Sequence, residues 1–332
     1  MTMIDIAKAA GVSLTTVGRV VRKKGYVSRE KREAVEEVIR KTGYVPNLVA
    51  QGLKSSRTGL IGHLTVLNPN MLYEQISKSI NRAAAQRGYQ VLTYAADLED
   101  QNTADLLDEL IGRRVDGIAI TSNPQLDQTL LQKILVQNIP LVMVERTLNV
   151  KRTDRIVVSD YRGAYTAVQH IIRHGHRKIA FIGKFADQDV ENRRLNGYKA
   201  ALRAAGIAED KTLIELRRNY GVEEGSAAAE RLLELPSRPT AVFMTSDLFA
   251  CGFLQACYRR KIRVPDDISL VGYDNTLSMM LSPPITSVSL GLDDLGSDVM
   301  ELLLSRMNDG LIEGRQVANS TSLIDRGSVR LL

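Results

Sequence analysis

This 332-residue chain has no long uninterrupted apolar run, no disulfide framework and none of the common catalytic signatures. No stretch approaches the roughly 18 consecutive apolar residues of a bilayer-spanning helix, so no membrane partner is expected. The N-terminus shows no basic start followed by an apolar segment and a small-residue cleavage site, and a cytoplasmic protein is expected. The only cysteines, Cys251 and Cys257, lie six apart in one helical pattern. That spacing suits neither zinc nor a disulfide, and both are read as small buried hydrophobes. His170 and His174 lie one turn apart, but His174-Gly175-His176 spans a helix end and no carboxylate or thiol has matching spacing. Structural roles and no metal site follow. A phosphate-binding loop, a dinucleotide fingerprint, a nucleophile elbow and a zinc-protease motif are also missing, so neither catalysis nor a cofactor is expected.

Positive charge, by contrast, is present and concentrated at one end. Residues 1–58 hold 12 Lys/Arg against 5 Asp/Glu, a net of +7, while the rest carry 32 against 33. A small basic module joined to a near-neutral body points to a polyanion, since Lys and Arg gain affinity for phosphates by releasing condensed counterions. Nucleic acid is the leading candidate. With 44% hydrophobic residues in 332, the chain can bury two or three folding units.

The basic module reads as three helices. Thr2 with Asp5 makes a capping-box-like start, Ile4, Ala7, Lys8 and Ala10 continue the first helix, and Gly11 ends it. Ser13 can cap a second helix through the N–H of Thr15 or Thr16, with Val12 and Val17 at hydrophobic-staple positions. Val17, Val20 and Val21 form its buried stripe, which leaves Leu14, Thr15, Gly18, Arg19 and Arg22 on the opposite face. Such a face suits the major groove, where Arg pairs with guanine and an apolar side chain covers a thymine methyl. The competing reading is a solvated face on a small bundle. Ser28 starts a third helix whose Val35, Val38 and Ile39 can cover the other two and which ends near Gly43.

Residues Ile4 to Ser13 (IDIAKAAGVS), Thr16-Val17, Arg19-Val20, Val27-Ser28, Gly43 to Asn47 (GYVPN) and Val49 to Leu53 (VAQGL) form a long ordered pattern. By it, the segment resembles the headpiece and hinge of the lactose repressor family of bacterial transcription regulators. The resemblance implies a helix-turn-helix headpiece over residues 1–46 and a hinge over 47–58. It implies DNA contacts from Thr2, Ser13, Leu14, Thr15, Thr16, Gly18, Arg19 and Arg22, and from Asn47, Val49, Ala50, Gln51 and Leu53 in the hinge. In that family the hinge helix folds on operator DNA and a leucine wedges into the minor groove, and Leu53 occupies that position. Residues 47–54 are too few for a stable isolated helix, which agrees with folding against a partner. The family often has Ser at Gly18 and Asn at Arg22, so an altered operator preference is expected.

From Leu60 onward, strand-like and helix-like patterns alternate. Strands are predicted at 60–66, 89–95, 117–121, 141–145, 156–160, 179–183, 241–244 and 268–273, with helices including 73–87, 163–174, 194–205, 225–235 and 248–260. The alternation predicts parallel sheets covered by helices on both faces, and about 270 residues suit two Rossmann-like subdomains. The resemblance extends over this region, through Arg114 to Ile118, Gly175 to Gly183, Gly197-Tyr198, Val264 to Ser269 and Gly272 to Asp274. It implies a periplasmic-binding-protein-like body over 59–332. The N-subdomain would span about 60–159 and 291–319, and the C-subdomain about 160–288 and 320–332.

Ligands of such sheets bind at the carboxyl ends of the strands, in the crevice between subdomains. The residues just after predicted strands are therefore candidates: Asn70 and Tyr73, Glu145 and Arg146, Asp160, Ser246 and Asp247, and Asp274 and Asn275. Asp160 and Asp247 can equally cap the helices that follow. The resemblance adds Arg194 as an effector-binding arginine and gives Asp274 a ligand contact. Carboxylates and amides with one Arg suit a polyol, since each hydroxyl can donate to a carboxylate and accept from guanidinium. Ser246 stands where the family often has Asn, and Glu145 where Asp is common, so an unusual effector is expected.

The reading is a nucleoid-associated bacterial repressor, controlled allosterically by a small-molecule effector and binding double-stranded operator DNA as a homodimer. After the terminal strand that the resemblance implies within 320–332, only residues 327–332 remain, too few for a tetramerising heptad tail. The alternative is a transport-type sugar-binding protein built on the same bilobed body. The basic headpiece and the absence of a signal peptide weigh against it.

Overall fold

The structure is a computed structural model and describes residues 2–21, 25–45, 57–68, 70–97, 102–121, 126–145, 153–185, 189–310 and 313–332. The chain divides into two compact units, Met1–Thr58 and Gly59–Leu332.

In the first unit, helix α1 (Met3–Ala9) begins with a reciprocal capping box. The Asp5 N–H donates to Thr2 Oγ1 at 3.3 Å, and the Thr2 N–H to Asp5 Oδ2 at 2.8 Å. Two of the orphan N–H groups of the helix start are thereby satisfied. Helix α2 (Leu14–Val21) is capped by Ser13, whose Oγ accepts the Thr16 N–H at 3.2 Å. Helix α3 (Arg29–Thr42) ends at Gly43 in left-handed geometry, φ 62°. Ile6, Val17 and Val35 are fully buried at the centre, with Val12, Val21, Val38 and Ile39 packed around them. A core this small depends on the caps, because short helices are marginal by themselves.

In the second unit the chain builds β1 (Leu60–Val66), α4 (Leu72–Gln86), β2 (Gln90–Ala96), α5 (Thr103–Gly112), β3 (Gly117–Thr121), α6 (Gln128–Val136), β4 (Leu141–Val144) and β5 (Asp154–Val158). It then passes to a second sheet through α7 (Asp160–Arg173), β6 (Ile179–Lys184), α8 (Asp189–Ala204), β7 (Ile214–Arg217), α9 (Val222–Leu233), β8 (Ala241–Met244), α10 (Asp247–Arg259), β9 (Ser269–Asp274) and β10 (Thr286–Ser289). The long helix α11 (Leu292–Asp309) and β11 (Gln316–Asn319) return to the first sheet, and β12 (Ser322–Ile324) joins the second. Strand orders are β11-β5-β4-β3-β1-β2 and β12-β10-β9-β8-β6-β7.

The first sheet is parallel throughout, but in the second β12 runs antiparallel to β10, an exception to the expected all-parallel arrangement. Central strands are apolar on both faces, as helix-covered parallel sheets require. In β6, Phe181 packs towards α7 and α8 while Ala180 and Ile182 pack towards α9 and α10, where Cys257 is also buried. In β3, Ala119 faces one side and Ile118 and Ile120 the other.

Two differences from the sequence reading bear on the site. The predicted strand 156–160 stops at Val158, and Asp160 is the first residue of α7. The predicted strand 141–145 stops at Val144, leaving Glu145 on backbone with φ 62°. Helix α8 lies close on α7 because Gly197 has no side chain: a Cβ there would overlap the Tyr161 carbonyl oxygen. Three residues earlier on α8 sits Arg194.

Candidate functional site: an exposed helix face and an interlobe crevice

On the basic unit, Val17 and Val20 turn α2 inward and leave Leu14 (44% exposed), Thr15 and Arg19 in solvent, with Gly18 half-buried. Ser13 and Thr16 are cap partners, their hydroxyls 2.9 Å apart, and Thr2 is held in the capping box of α1. Arg19 bends towards the next loop, where its Nη1 donates to the Tyr26 carbonyl at 3.5 Å. Tyr26 is 86% exposed beside it and carries no signal in the sequence that would single it out. Arg22 and the hinge residues Asn47, Val49, Ala50, Gln51 and Leu53 lie outside the described residues, as does Arg146 of the body.

In the body, carboxyl ends of strands from both sheets converge on one buried polar cluster. Its centre is Arg194, 3% exposed. Its Nε donates to Asp160 Oδ1 at 2.8 Å and its Nη1 to the Thr245 carbonyl at 2.8 Å. Glu191 Oε1 lies 3.5 Å from Nη1, Asp274 Oδ1 lies 3.9 Å from Nη2, and the guanidinium covers the Tyr273 ring at 4.0 Å. Asp160, fully buried, also accepts from Arg193 Nη2 at 3.0 Å and from the Tyr273 hydroxyl at 3.2 Å. Glu191 accepts from the Tyr220 hydroxyl and from the Lys184 N–H. Asn70, just beyond the first strand of the first sheet, donates through Nδ2 to Asp274 Oδ2 at 2.8 Å and so joins the two lobes. Tyr73 follows it in the first turn of α4.

The cluster thus brings together Asn70, Glu145, Asp160, Arg194, Ser246 and Asp274. Ser246 caps α10 by accepting the Leu248 N–H at 3.3 Å, and its hydroxyl is near enough to Asp274 to favour the charged carboxylate. Asp247 is occupied in holding a loop, since its Oδ2 accepts the N–H groups of Thr276, Leu277 and Ser278 and its Oδ1 accepts the Ser287 hydroxyl at 2.8 Å. Sequence reasoning missed Glu191, Arg193, Tyr220 and Tyr273. The Glu191–Arg194 spacing on one helix was a usable signal, whereas the pairing of Arg193 with Asp160 depends on how α7 and α8 pack.

The electrostatics of the cluster are uneven. Burial, with the Asp160 charge close by, pushes the Glu145 carboxyl up to about 7, and burial pushes Asp274 up to about 6. Both carboxylates sit on left-handed backbone, φ 62° and 90°, a strained conformation for residues other than glycine and one that clusters at functional sites. Among the described residues, Glu145 Oε1, Asp274 Oδ1, Thr245 Oγ1 and Arg193 Nε are buried without a hydrogen-bond partner. Buried polar atoms are normally paired, so a group of orphans at one crevice marks it as the candidate site of the body. An open cavity of about 320 Å³ adjoins Asp274 and Asn275 and is lined also by Gln75, Lys78, Arg82 and Ser289. Of the histidines, His176 lies between the Thr240 hydroxyl at 2.9 Å and the Arg330 carbonyl at 3.1 Å, and His174 Nδ1 lies 2.8 Å from the His170 carbonyl. Among the described residues no group of His, Cys, Asp and Glu could hold a metal ion, and no helix is long and apolar enough to cross a membrane.

Comparison with known proteins agrees with both halves. Residues 2–47 match the model of the bacterial regulatory proteins of the lacI family, and residues 168–329 match a periplasmic binding protein-like domain. The HTH-type transcriptional regulator DegA of Bacillus subtilis (strain 168) is 34% identical over 300 residues, covering 90% of this chain and 88% of its own. Among solved structures, a lac repressor dimer bound to operator and the anti-inducer ONPF superposes with a TM-score of 0.83 at 27% identity, covering 99% of both chains. A complex of the transcriptional regulator CelR with cellobiose gives 0.72 at 31% identity, again over 99% of both. These are regulators along their whole length, and the transport-type alternative has no support among them. The capped basic headpiece and the bilobed body are parts of one architecture, and the chain belongs to the lacI family of bacterial regulatory proteins.

Proposed function

We propose that this chain is a repressor that binds a two-fold operator as a homodimer, working in the cytoplasm on the nucleoid, and that a small polyhydroxylated effector in the crevice controls its operator affinity. On the DNA side, Leu14, Thr15, Gly18, Arg19 and Arg22 read the major groove. Thr2, Ser13 and Thr16 fix the helix ends against phosphates. Asn47, Val49, Ala50, Gln51 and Leu53 form the minor-groove hinge with Leu53 as its wedge. In the body, Asn70, Tyr73, Glu145, Arg146, Asp160, Arg194, Ser246 and Asp274 line the effector site, with Asp247 holding the 276–278 loop behind it. A division into headpiece, hinge and body over residues 1–46, 47–58 and 59–332 goes with this reading.

The observation that carries it is the whole-length likeness to a repressor dimer on its operator, and the orphaned acceptors around Arg194 support the effector site. No separate cofactor is required, since binding alone shifts the equilibrium between two states. The test is selection of DNA from a random duplex library by the full chain. Enrichment of a palindrome is expected, with Arg19→Ala relaxing preference at one position of each half-site. Failure to enrich any two-fold sequence would refute the reading.

A further inference from the structure

Glu145 Oε1 and Asp274 Oδ1 are buried acceptors without a donor among the described residues, and they come from opposite lobes, one after β4 and the other at the end of β9. The charges acting on them are those of the carboxylates Asp160 and Asp247, of Asp274 itself upon Glu145, and of Arg193 and Arg194. Both guanidiniums are already bound to Asp160, and Arg194 also faces Glu191 and, at the longer distance of 3.9 Å, Asp274 Oδ1. The two guanidiniums are therefore engaged chiefly by Asp160, which leaves Glu145 without an ion pair among the described residues and Asp274 with only that long contact. An ionised carboxylate only accepts hydrogen bonds. A phosphate or carboxylate ligand would add a like charge at a buried site, where repulsion is strong.

Resting on the effector reading above, we propose that the effector carries a basic nitrogen on a polyhydroxylated frame, an amino-sugar-like cation whose ammonium bridges Glu145 and Asp274. The three donors of an ammonium suit two acceptors on opposite lobes, and charge-assisted N–H···O bonds are about twice as strong as neutral ones. A ring hydroxyl can accept from the unpartnered Arg193 Nε and donate to Thr245 Oγ1. A neutral sugar offers hydroxyl donors but leaves two like charges enclosed, which favours a proton on one of them instead. The upward shift of both carboxyls, to about 7 and about 6, is the same repulsion and burial expressed in the crevice.

The test uses the full chain and matched probes: glucose, galactose and mannose, each with its 2-amino, 2-acetamido, uronic acid and 6-phosphate forms, followed by thermal shift and titration calorimetry. The expected result is that a 2-amino sugar binds at least tenfold more tightly than its neutral parent and its acetylated form, and that Glu145→Gln removes this advantage. Tighter or equal binding of a neutral, acetylated or acidic form overturns the inference, and so does the absence of binding by every probe. In the first case, loss of that binding in Asp274→Asn keeps the crevice as the effector site, whereas binding unaffected by Asp274→Asn removes the effector site from the crevice as well.

Discussion

Arg194 shows why a candidate ligand-binding residue is also a structural one. Its guanidinium is bonded to Asp160 and the Thr245 carbonyl and lies on Tyr273, so truncation takes one of the two guanidiniums from a fully buried carboxylate and leaves the Thr245 carbonyl without its donor. Arg194→Ala is expected to destabilise the body by about 3–5 kcal/mol, the range for breaking a buried pair by removing one partner, as read from denaturant unfolding. Arg194→Lys keeps the charge but loses the planar fork and should recover only part of the loss. Glu145 acts in the opposite sense. Its carboxyl is raised from 4.5 to about 7 in the fold, so the unfolded chain releases its proton first and stability falls as pH rises from about 4.5 to about 7. Glu145→Gln should therefore leave Tm unchanged near pH 4 and raise it by several degrees at pH 8. The comparison must be made between variants, because burial lowers His63 from 6.5 to about 4. That group loses stability as pH falls through the same window. Equal wild-type and Glu145→Gln profiles would show that the carboxyl is not buried against like charge.

At the scale of the element, α8 depends on one absent side chain. A Cβ on Gly197 would collide with backbone of α7, which cannot move aside as a side chain could. Alanine there would gain about 1 kcal/mol of helix propensity, against about 1–3 kcal/mol or more for overpacking. Gly197→Ala should therefore lower Tm by a few degrees and weaken effector binding, because Arg194 and Arg193 move with the helix. Unaltered effector affinity would mean that α8 does not set the geometry of the site. The same distinction between local and packed structure explains what can be read from the sequence. The caps of α1 and α2 and the valine stripe are legible because they lie within a few residues of one another. The apolar strands are legible because both faces are buried. The four-residue edge strand β7, with Glu215 and Arg217 in it, carries no such pattern, and neither does antiparallel β12. Asp160 reads as the end of a strand because Ile156 and Val158 precede it, but it opens α7. Asn70, Glu145, Arg194 and Asp274 are legible as strand-end or family positions. Glu191 could have been found from its i,i+3 spacing to Arg194 on α8, whereas Arg193 and Tyr220 join them only through the packing of α7, α8 and the second sheet.

The whole molecule separates its two chemistries: a net charge of +7 over residues 1–58, and a body of nearly balanced charge holding the polar crevice. Operator binding should fall steeply with salt, with a log–log slope of about 0.9 per phosphate neutralised, while effector binding should depend on salt far less because its charges are buried. If the effector works by favouring one of two states of the protein, the coupling is reciprocal: whatever factor it imposes on operator affinity, operator must impose on effector affinity. Typical couplings are about 5–150-fold, wide enough to measure by titrating effector into the chain alone and into the chain saturated with operator duplex. The two factors should agree, and Asp274→Asn should reduce both towards one, since the carboxylate is bonded to Asn70 across the lobes. A chain lacking residues 1–58 should bind effector with one affinity whether or not operator is present. Effector affinity that is the same with and without operator in the full chain would mean that the crevice does not communicate with the headpiece, and regulation would have to be sought outside it.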